Sequence, residues 1–155
     1  MAIDKKLEAL QLEANQMARA YYSRLEGELS SIRNYVGNYM DTRKTEGYDL
    51  ARDSLDSIKE FYRKIPFGSF RGNDNFIQLF AAKEQLEELE EALTAVNGQD
   101  NRLLAKRVIL LTHTIGIEEE LFRKKLRKVL AEIHANPAAE DFRIEGFYEN
   151  GKIII

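Results

Sequence analysis

The residues of this chain best suited to chemistry are carboxylates that recur at helical spacing in two segments. They are Asp49, Asp53, Asp56 and Glu60 in the first segment and Glu84, Glu87, Glu88 and Glu91 in the second. Two facing rows of carboxylates could bind Mg²⁺, which prefers oxygen ligands. The first row, however, trails the apolar residues of its own segment by two positions, or about 200° around a helix, and bases are interleaved with it. We therefore expect a solvated, ion-paired face and no metal site.

Other residue types with catalytic potential are few. The chain contains no cysteine and only two histidines, His113 and His134, and neither histidine belongs to an E-x-x-H pair. The sequence also has no GxGxxG, GxxxxGK[ST], HExxH or GxSxG motif. These are the short motifs that mark dinucleotide, phosphate, zinc and acyl-transfer sites. No cofactor is expected.

Arg107 and His113 have the one spacing that suggests a reaction. The R-x5-H pattern, in an all-helical chain of this size, resembles the RxxxxxH element of HEPN-type ribonucleases over seven residues. The resemblance implies a dimer whose arginine and histidine cut RNA without a metal. On an unbroken helix, residues six apart differ by about 120° in direction and about 9 Å in height, so the two side chains would not converge. The apolar run from Val108 to Leu111 also places them in mid-helix core surroundings, which favours a structural role for both.

A loop with some potential for binding follows Pro66 in the segment PFGSFRGNDN. Its glycines could let backbone amides approach a phosphate, with Arg71 and the next helix N-terminus contributing positive charge. Phe67 and Phe70 instead indicate a loop pinned over the core by its own side chains. The second interpretation is the one we favour.

The elements that would position these residues begin with an apolar ladder. It consists of Ile3, Leu7, Leu10, Ala14, Met17, Tyr21, Leu25, Leu29, Ile32, Val36 and Tyr39. The steps alternate between four and three and slip once to four-four around Leu25, which predicts one helix from about Asp4 to Arg43 with a coiled-coil stutter. Such a helix would be roughly 60 Å long and would leave part of its stripe uncovered in a monomer. A homo-oligomer is therefore expected.

Three further helices follow with short connections. The apolar spacing predicts them at about residues 46–65, 75–96 and 100–135, with Asn97-Gly98 ending the third and a kink or break near Gly116 in the fourth. Short connections favour antiparallel neighbours. Charge is segregated between the last two helices, since residues 74–97 hold six acids and one lysine and residues 102–134 hold eight bases and four acids.

The last part of the chain changes its period. Asn150-Gly151 between two β-prone runs predicts a two-residue type I′ hairpin in which Glu149 pairs with Lys152. Because an isolated hairpin is marginal in water, its apolar residues must find another surface, in cis or on a partner. The candidate partner-binding residues are Phe142, Ile144, Phe147, Tyr148, Ile153, Ile154 and Ile155. We divide the chain into a helical bundle, 1–136, and this tail, 137–155.

Composition sets the remaining expectations. With 44% hydrophobic and 32% charged residues the chain is typical of a globular protein, and a net charge of −3 argues against general affinity for nucleic acid. No apolar stretch approaches the length of a membrane span, and the charged N-terminus is unlike a signal peptide. We expect a cytoplasmic, all-α antiparallel four-helix bundle with a long first helix and a C-terminal β-hairpin. Its favoured function is non-enzymatic, self-association or docking of a protein partner, and the alternatives are the HEPN-like ribonuclease and a small anti-defence or adaptor protein.

Overall fold

The fold is an all-α bundle with a small C-terminal hairpin, as the sequence predicts. The computed structural model describes residues 4–97 and 102–155. Its helices are α1 (Lys5–Arg19), α2 (Leu25–Thr42), α3 (Thr45–Arg63), α4 (Ile77–Val96) and α5 (Arg102–His134), and its strands are β1 (Tyr148–Glu149) and β2 (Lys152–Ile153). Ile3, Gly98 and Asp100, which the sequence-based predictions use, lie outside the described residues.

The predicted long first helix is wrong, because the chain breaks between α1 and α2. Ala20 ends α1 at φ −91° and ψ −1°, and the Leu25 amide donates to the Tyr22 carbonyl at 3.1 Å to begin α2. The break lies where the apolar ladder slips to four-four spacing. A turn of the backbone, rather than a coiled-coil stutter, therefore keeps the apolar residues of both helices facing the core. Tyr21 and Tyr22 have modest helix propensity, and each gains an aromatic neighbour, Phe147 at 5.7 Å and Phe61 at 4.5 Å between ring centroids.

Because the first helix is divided into α1 and α2, other helices cover its apolar stripe. α1 packs on α5, whereas α2 packs between α3 and α5. The ladder residues from Ala14 to Tyr39 are buried within the chain, apart from the partly buried Tyr21. The predicted uncovered stripe on the first helix therefore does not form and gives no reason to expect an oligomer.

α5 is the central helix and runs without interruption through Gly116. The predicted break there is wrong because tertiary packing stabilises the weak helical segment. Thr112, which is fully buried, donates to the Ile109 carbonyl at 2.6 Å and accepts from Arg33 of α2 at 3.4 Å. A Cβ on Gly116 would lie 3.0 Å from Glu26 Oε2, so the glycine lets α2 approach closely.

The largest fully buried side chains come from every helix and join them in one core. They are Met17, Leu25, Leu29, Ile32, Leu55, Ile58, Phe76, Leu89, Leu93, Ile115, Phe122 and Leu126. Burying one such side chain contributes about 1.5–3 kcal/mol. No helix within residues 4–97 and 102–155 has both the length and the apolar character that crossing a membrane requires.

The hairpin turn forms as predicted, but its strands are short. Asn150 and Gly151 have φ of 53° and 76°, and Glu149 pairs with Lys152 across them. Both residues thus adopt the left-handed conformation of a type I′ turn. Each strand has only two residues, because the chain turns at Gly146, at φ 88°, before the first strand. The longer alternating face that was predicted from Phe142 to Ile155 therefore does not form as a sheet.

Candidate functional site

The R-x5-H pair lies on the surface and does not converge within one chain. The Arg107 side chain is 56% exposed, and its guanidinium is 3.9 Å from the Glu88 carboxylate on α4. His113 is also exposed. The expectation that both residues lie in core surroundings is therefore wrong. They lie on opposite sides of Leu110, as residues six apart on a continuous helix must.

The Pro66 loop is held against the bundle by aromatic contacts. Phe70 is buried in a stacked contact with Phe76, with ring centroids 3.8 Å apart. Phe67 lies 5.2 Å from the Phe80 ring, and the Lys83 ammonium is 5.0 Å above its face. Arg71 is exposed at the end of this turn. The side chains thus fix the loop without a ligand.

The tail packs on the bundle of its own chain. The Tyr148 hydroxyl and His134 Nε2 are 2.7 Å apart, and Arg127 of α5 donates to the Ile155 carbonyl. Six of the seven candidate partner-binding residues are partly buried against the core: Phe142, Ile144, Phe147, Tyr148, Ile153 and Ile155. The seventh, Ile154, is 53% exposed. The role of these residues in partner binding, and the separate folding of 1–136 and 137–155, stay predictions.

A cleft of about 670 Å³ opens where the α1–α2 break meets α5 and the tail. Its walls include Tyr21, Glu26, Glu119, Arg123 and Phe147. Glu119 lies four residues before Arg123, a spacing that favours an exposed ion pair on a helix, and the contact forms at 3.8 Å. Its side chain is nevertheless only 14% exposed, which the sequence does not indicate. The cleft depends on the helix break and the tail, so no local sequence signal predicts it.

The electrostatics of this cleft centre on Glu119. Burial raises its pKa above the usual range, and Glu26 and Glu120 add to the rise. Arg123 and a hydrogen bond from the Tyr21 hydroxyl act in the opposite direction. The pKa of Tyr21 is also raised, first by its own burial and then by Glu119. Glu119 thus connects the α1–α2 break to α5 through Tyr21 and Arg123. In the part of the chain that the structure describes, no group of three or more His, Cys, Asp or Glu side chains could hold a metal ion.

Four exposed apolar side chains form a stripe on α5. Leu103, Leu110, Ile117 and Leu121 are 75%, 65%, 58% and 42% exposed. We call these four residues the α5 stripe. Scattered exposed leucines are ordinary, but residues spaced seven, seven and four apart lie in one row along a helix. The stripe lies away from the buried row that contains Val108, Ile115 and Phe122.

The α5 stripe was not predicted from the sequence. The apolar spacing of the fourth predicted helix indicated only its core row, and the apolar run from Val108 to Leu111 was interpreted as core throughout. The available signal was the seven-residue spacing of Leu103, Leu110 and Ile117. A second apolar row on a helix that already has a core row indicates an additional contact surface.

Comparison with protein-family models, curated proteins and solved structures gives no significant match. The function of the chain is therefore inferred from its own geometry.

Proposed function

We propose that the chain is a non-enzymatic helical subunit that acts by self-association or by docking a protein partner, with the α5 stripe as its contact surface. The observation that carries the proposal is the exposure of Leu110, Ile117 and Leu121 in one row of a helix whose other side is core. Contiguous apolar surface on a folded protein marks an interaction site more often than isolated apolar residues do. A small adaptor or anti-defence protein is a form of the same proposal, since its partner would define its activity.

Energetic reasoning supports a contact at this row. Covering a leucine or isoleucine that is more than half exposed would contribute on the order of 1 kcal/mol at each position. Stripe residues on α5 are held by a helix that is anchored in the core by Ile115 and Phe122. A preorganised row loses little conformational entropy on binding, which favours association. We place this activity in the cytoplasm.

The test compares two double substitutions in sedimentation and light scattering. We expect Leu110→Glu with Ile117→Glu to abolish association, because a carboxylate cannot be buried unpaired in an apolar contact. The matched control is Leu12→Glu with Ile77→Glu, at positions that are 59% and 52% exposed on α1 and α4. The control should associate like the wild type. The proposal would be refuted if the two double variants self-associated equally well and also bound any partner equally well.

A metal-independent ribonuclease that uses Arg107 and His113 is the second candidate. The observation in its favour is that both side chains are exposed and flank the stripe. In one chain they point apart, so we expect no cleavage when pure protein is incubated with mixed RNA, with or without EDTA. We also expect Arg107→Ala and His113→Ala to change stability by less than about 0.5 kcal/mol, as surface substitutions do. Cleavage that persists in EDTA and is lost in either variant would establish the nuclease.

A further inference from the structure

Building on the proposed function, we infer that the occupant of the α5 stripe is a second copy of this chain, docked with its α5 antiparallel to the first. The stripe is part of a longer heptad seam. Its positions are Leu103, Arg107, Leu110, Thr114, Ile117, Leu121 and Lys124, with steps that alternate between four and three. This spacing is that of one face of a two-helix coiled coil. From Leu103 to Leu121 the seam is about 27 Å long.

The charges beside the seam decide the direction of the second helix. Lys106 lies at its N-terminal end and Glu120 at its C-terminal end, both exposed and on the same flank. Antiparallel α5 helices related by a two-fold axis near His113 would place Lys106 of each copy opposite Glu120 of the other. A parallel pair would instead bring Lys106 near Lys106 and Glu120 near Glu120, which is unfavourable. Glu120 also contacts Arg123 and Lys124 of its own helix, at 3.9 and 3.5 Å.

The state of Lys106 within the chain supports this pairing. Within the seam, Arg107 already contacts Glu88 of α4 at 3.9 Å. Among the residues that the structure describes, Lys106 has no ion-pair partner, although α4 is strongly acidic. It is therefore an available cation beside an apolar row.

The antiparallel register pairs apolar residues at the two ends of the stripe. With the axis near His113, Leu103 of one copy faces Leu121 of the other. Leu110 faces Thr114, and Ile117 faces Arg107, whose methylene groups can cover it while its guanidinium stays near Glu88. The face thus supplies its own complement, both apolar and charged, as a two-fold symmetric dimer requires. A different partner would need a matching apolar row with an acidic residue opposite Lys106 and a basic residue opposite Glu120. A second, antiparallel copy of this chain already has both.

Charge exchange provides the first test, with dissociation constants from sedimentation equilibrium. We expect Lys106→Glu and Glu120→Lys each to raise the dissociation constant about tenfold, since each places like charges at two symmetric contacts. An equimolar mixture of the two variants should restore affinity, because its heterodimer regains opposite charges at both contacts. The Lys106→Glu/Glu120→Lys double variant should be restored as well. Failure of both restorations, in variants that keep the wild-type helical circular dichroism, would overturn the antiparallel pairing.

Thiol cross-linking provides the second test. Because the chain contains no cysteine, only the introduced thiols can react. A mixture of Leu103→Cys and Leu121→Cys proteins should form a covalent dimer with a short bismaleimide. Leu121→Cys alone should not, because its two copies would lie about 27 Å apart along the antiparallel helices. The reverse pattern would show a parallel dimer and overturn the inference.

The outcomes separate this inference from the proposed function. A wild-type monomer at high micromolar concentration would overturn the second copy as occupant. If Leu110→Glu with Ile117→Glu still removed binding to another protein, the interaction function would remain. If those substitutions changed no association at all, the proposed function itself would fail.

Discussion

At the scale of single residues, Glu119 shows how a surface pattern can conceal a buried group. Its spacing from Arg123 is that of a favourable exposed ion pair, and the pair does form. The residue nevertheless lies beneath the tail, next to Tyr21, and its pKa is raised mainly by burial. A carboxyl whose pKa is higher in the folded than in the unfolded state makes folding less favourable once it ionises.

Glu119 should therefore give the free energy of unfolding a measurable pH dependence. The folded state binds its proton more tightly, so this contribution to stability is largest at low pH and is lost as pH rises from the ordinary value of 4.5 through the raised pKa. We expect the free energy of unfolding of Glu119→Gln, measured by urea unfolding, to lack this decrease over the same pH range. Glu132→Gln, an exposed carboxylate on the same helix, is the control. Parallel pH profiles for the wild type and Glu119→Gln would contradict the assignment.

At the scale of elements, the tail and the α1–α2 break depend on each other. Phe147 contacts Tyr21 within the break, and Tyr148 contacts His134 near the end of α5. The hairpin is too short to be stable alone, so these contacts hold it in place. The bundle in turn uses the tail to cover part of its surface, including the cleft around Glu119.

Truncation after Asn136 should lower the melting temperature and keep the helical circular dichroism. The helices retain their shared core, whereas the half-buried contacts of the tail are lost, and a loss of about 1–3 kcal/mol would shift the midpoint by several degrees. Ile154→Asp tests partner docking separately, because this side chain is 53% exposed and its loss spares the cis contacts. Loss of a partner in Ile154→Asp would support a docking tail. Unfolding of the truncated chain would instead show that residues 137–155 are part of the core.

At the scale of the whole molecule, the distribution of apolar surface differs from what the first helix suggested. Because the first helix is divided, other helices cover its apolar residues, and the exposed apolar row lies on α5 instead. Association remains expected, but the surface expected to mediate it is on the central helix of the bundle rather than on the N-terminal helices.

Association through α5 should make thermal stability depend on protein concentration. A ligand that binds only the folded state raises its stability by mass action, and a second copy is such a ligand. We expect the wild-type melting temperature to rise with concentration, whereas that of Leu110→Glu with Ile117→Glu should not change. A melting temperature independent of concentration in both proteins would argue against self-association.

Features that depend on local periodicity and backbone chemistry can be predicted directly from the amino-acid sequence. The apolar spacing of α3, α4 and α5 gives their limits to within a few residues, and Asn150-Gly151 specifies its turn, because left-handed φ at two adjacent positions favours these residue types. The opposite net charges of α4 and α5 agree with the contact of Arg107 with Glu88, although that pair was not itself predicted.

Tertiary packing determines which of these surfaces are covered. The break after α1, the continuity of α5 through Gly116, the burial of Glu119 and the exposure of Leu110 all depend on residues far away in the sequence. A helix with two apolar rows has the same local pattern whichever row faces the core. The choice between them is made by the neighbouring helices, through the total apolar area that the whole chain removes from water.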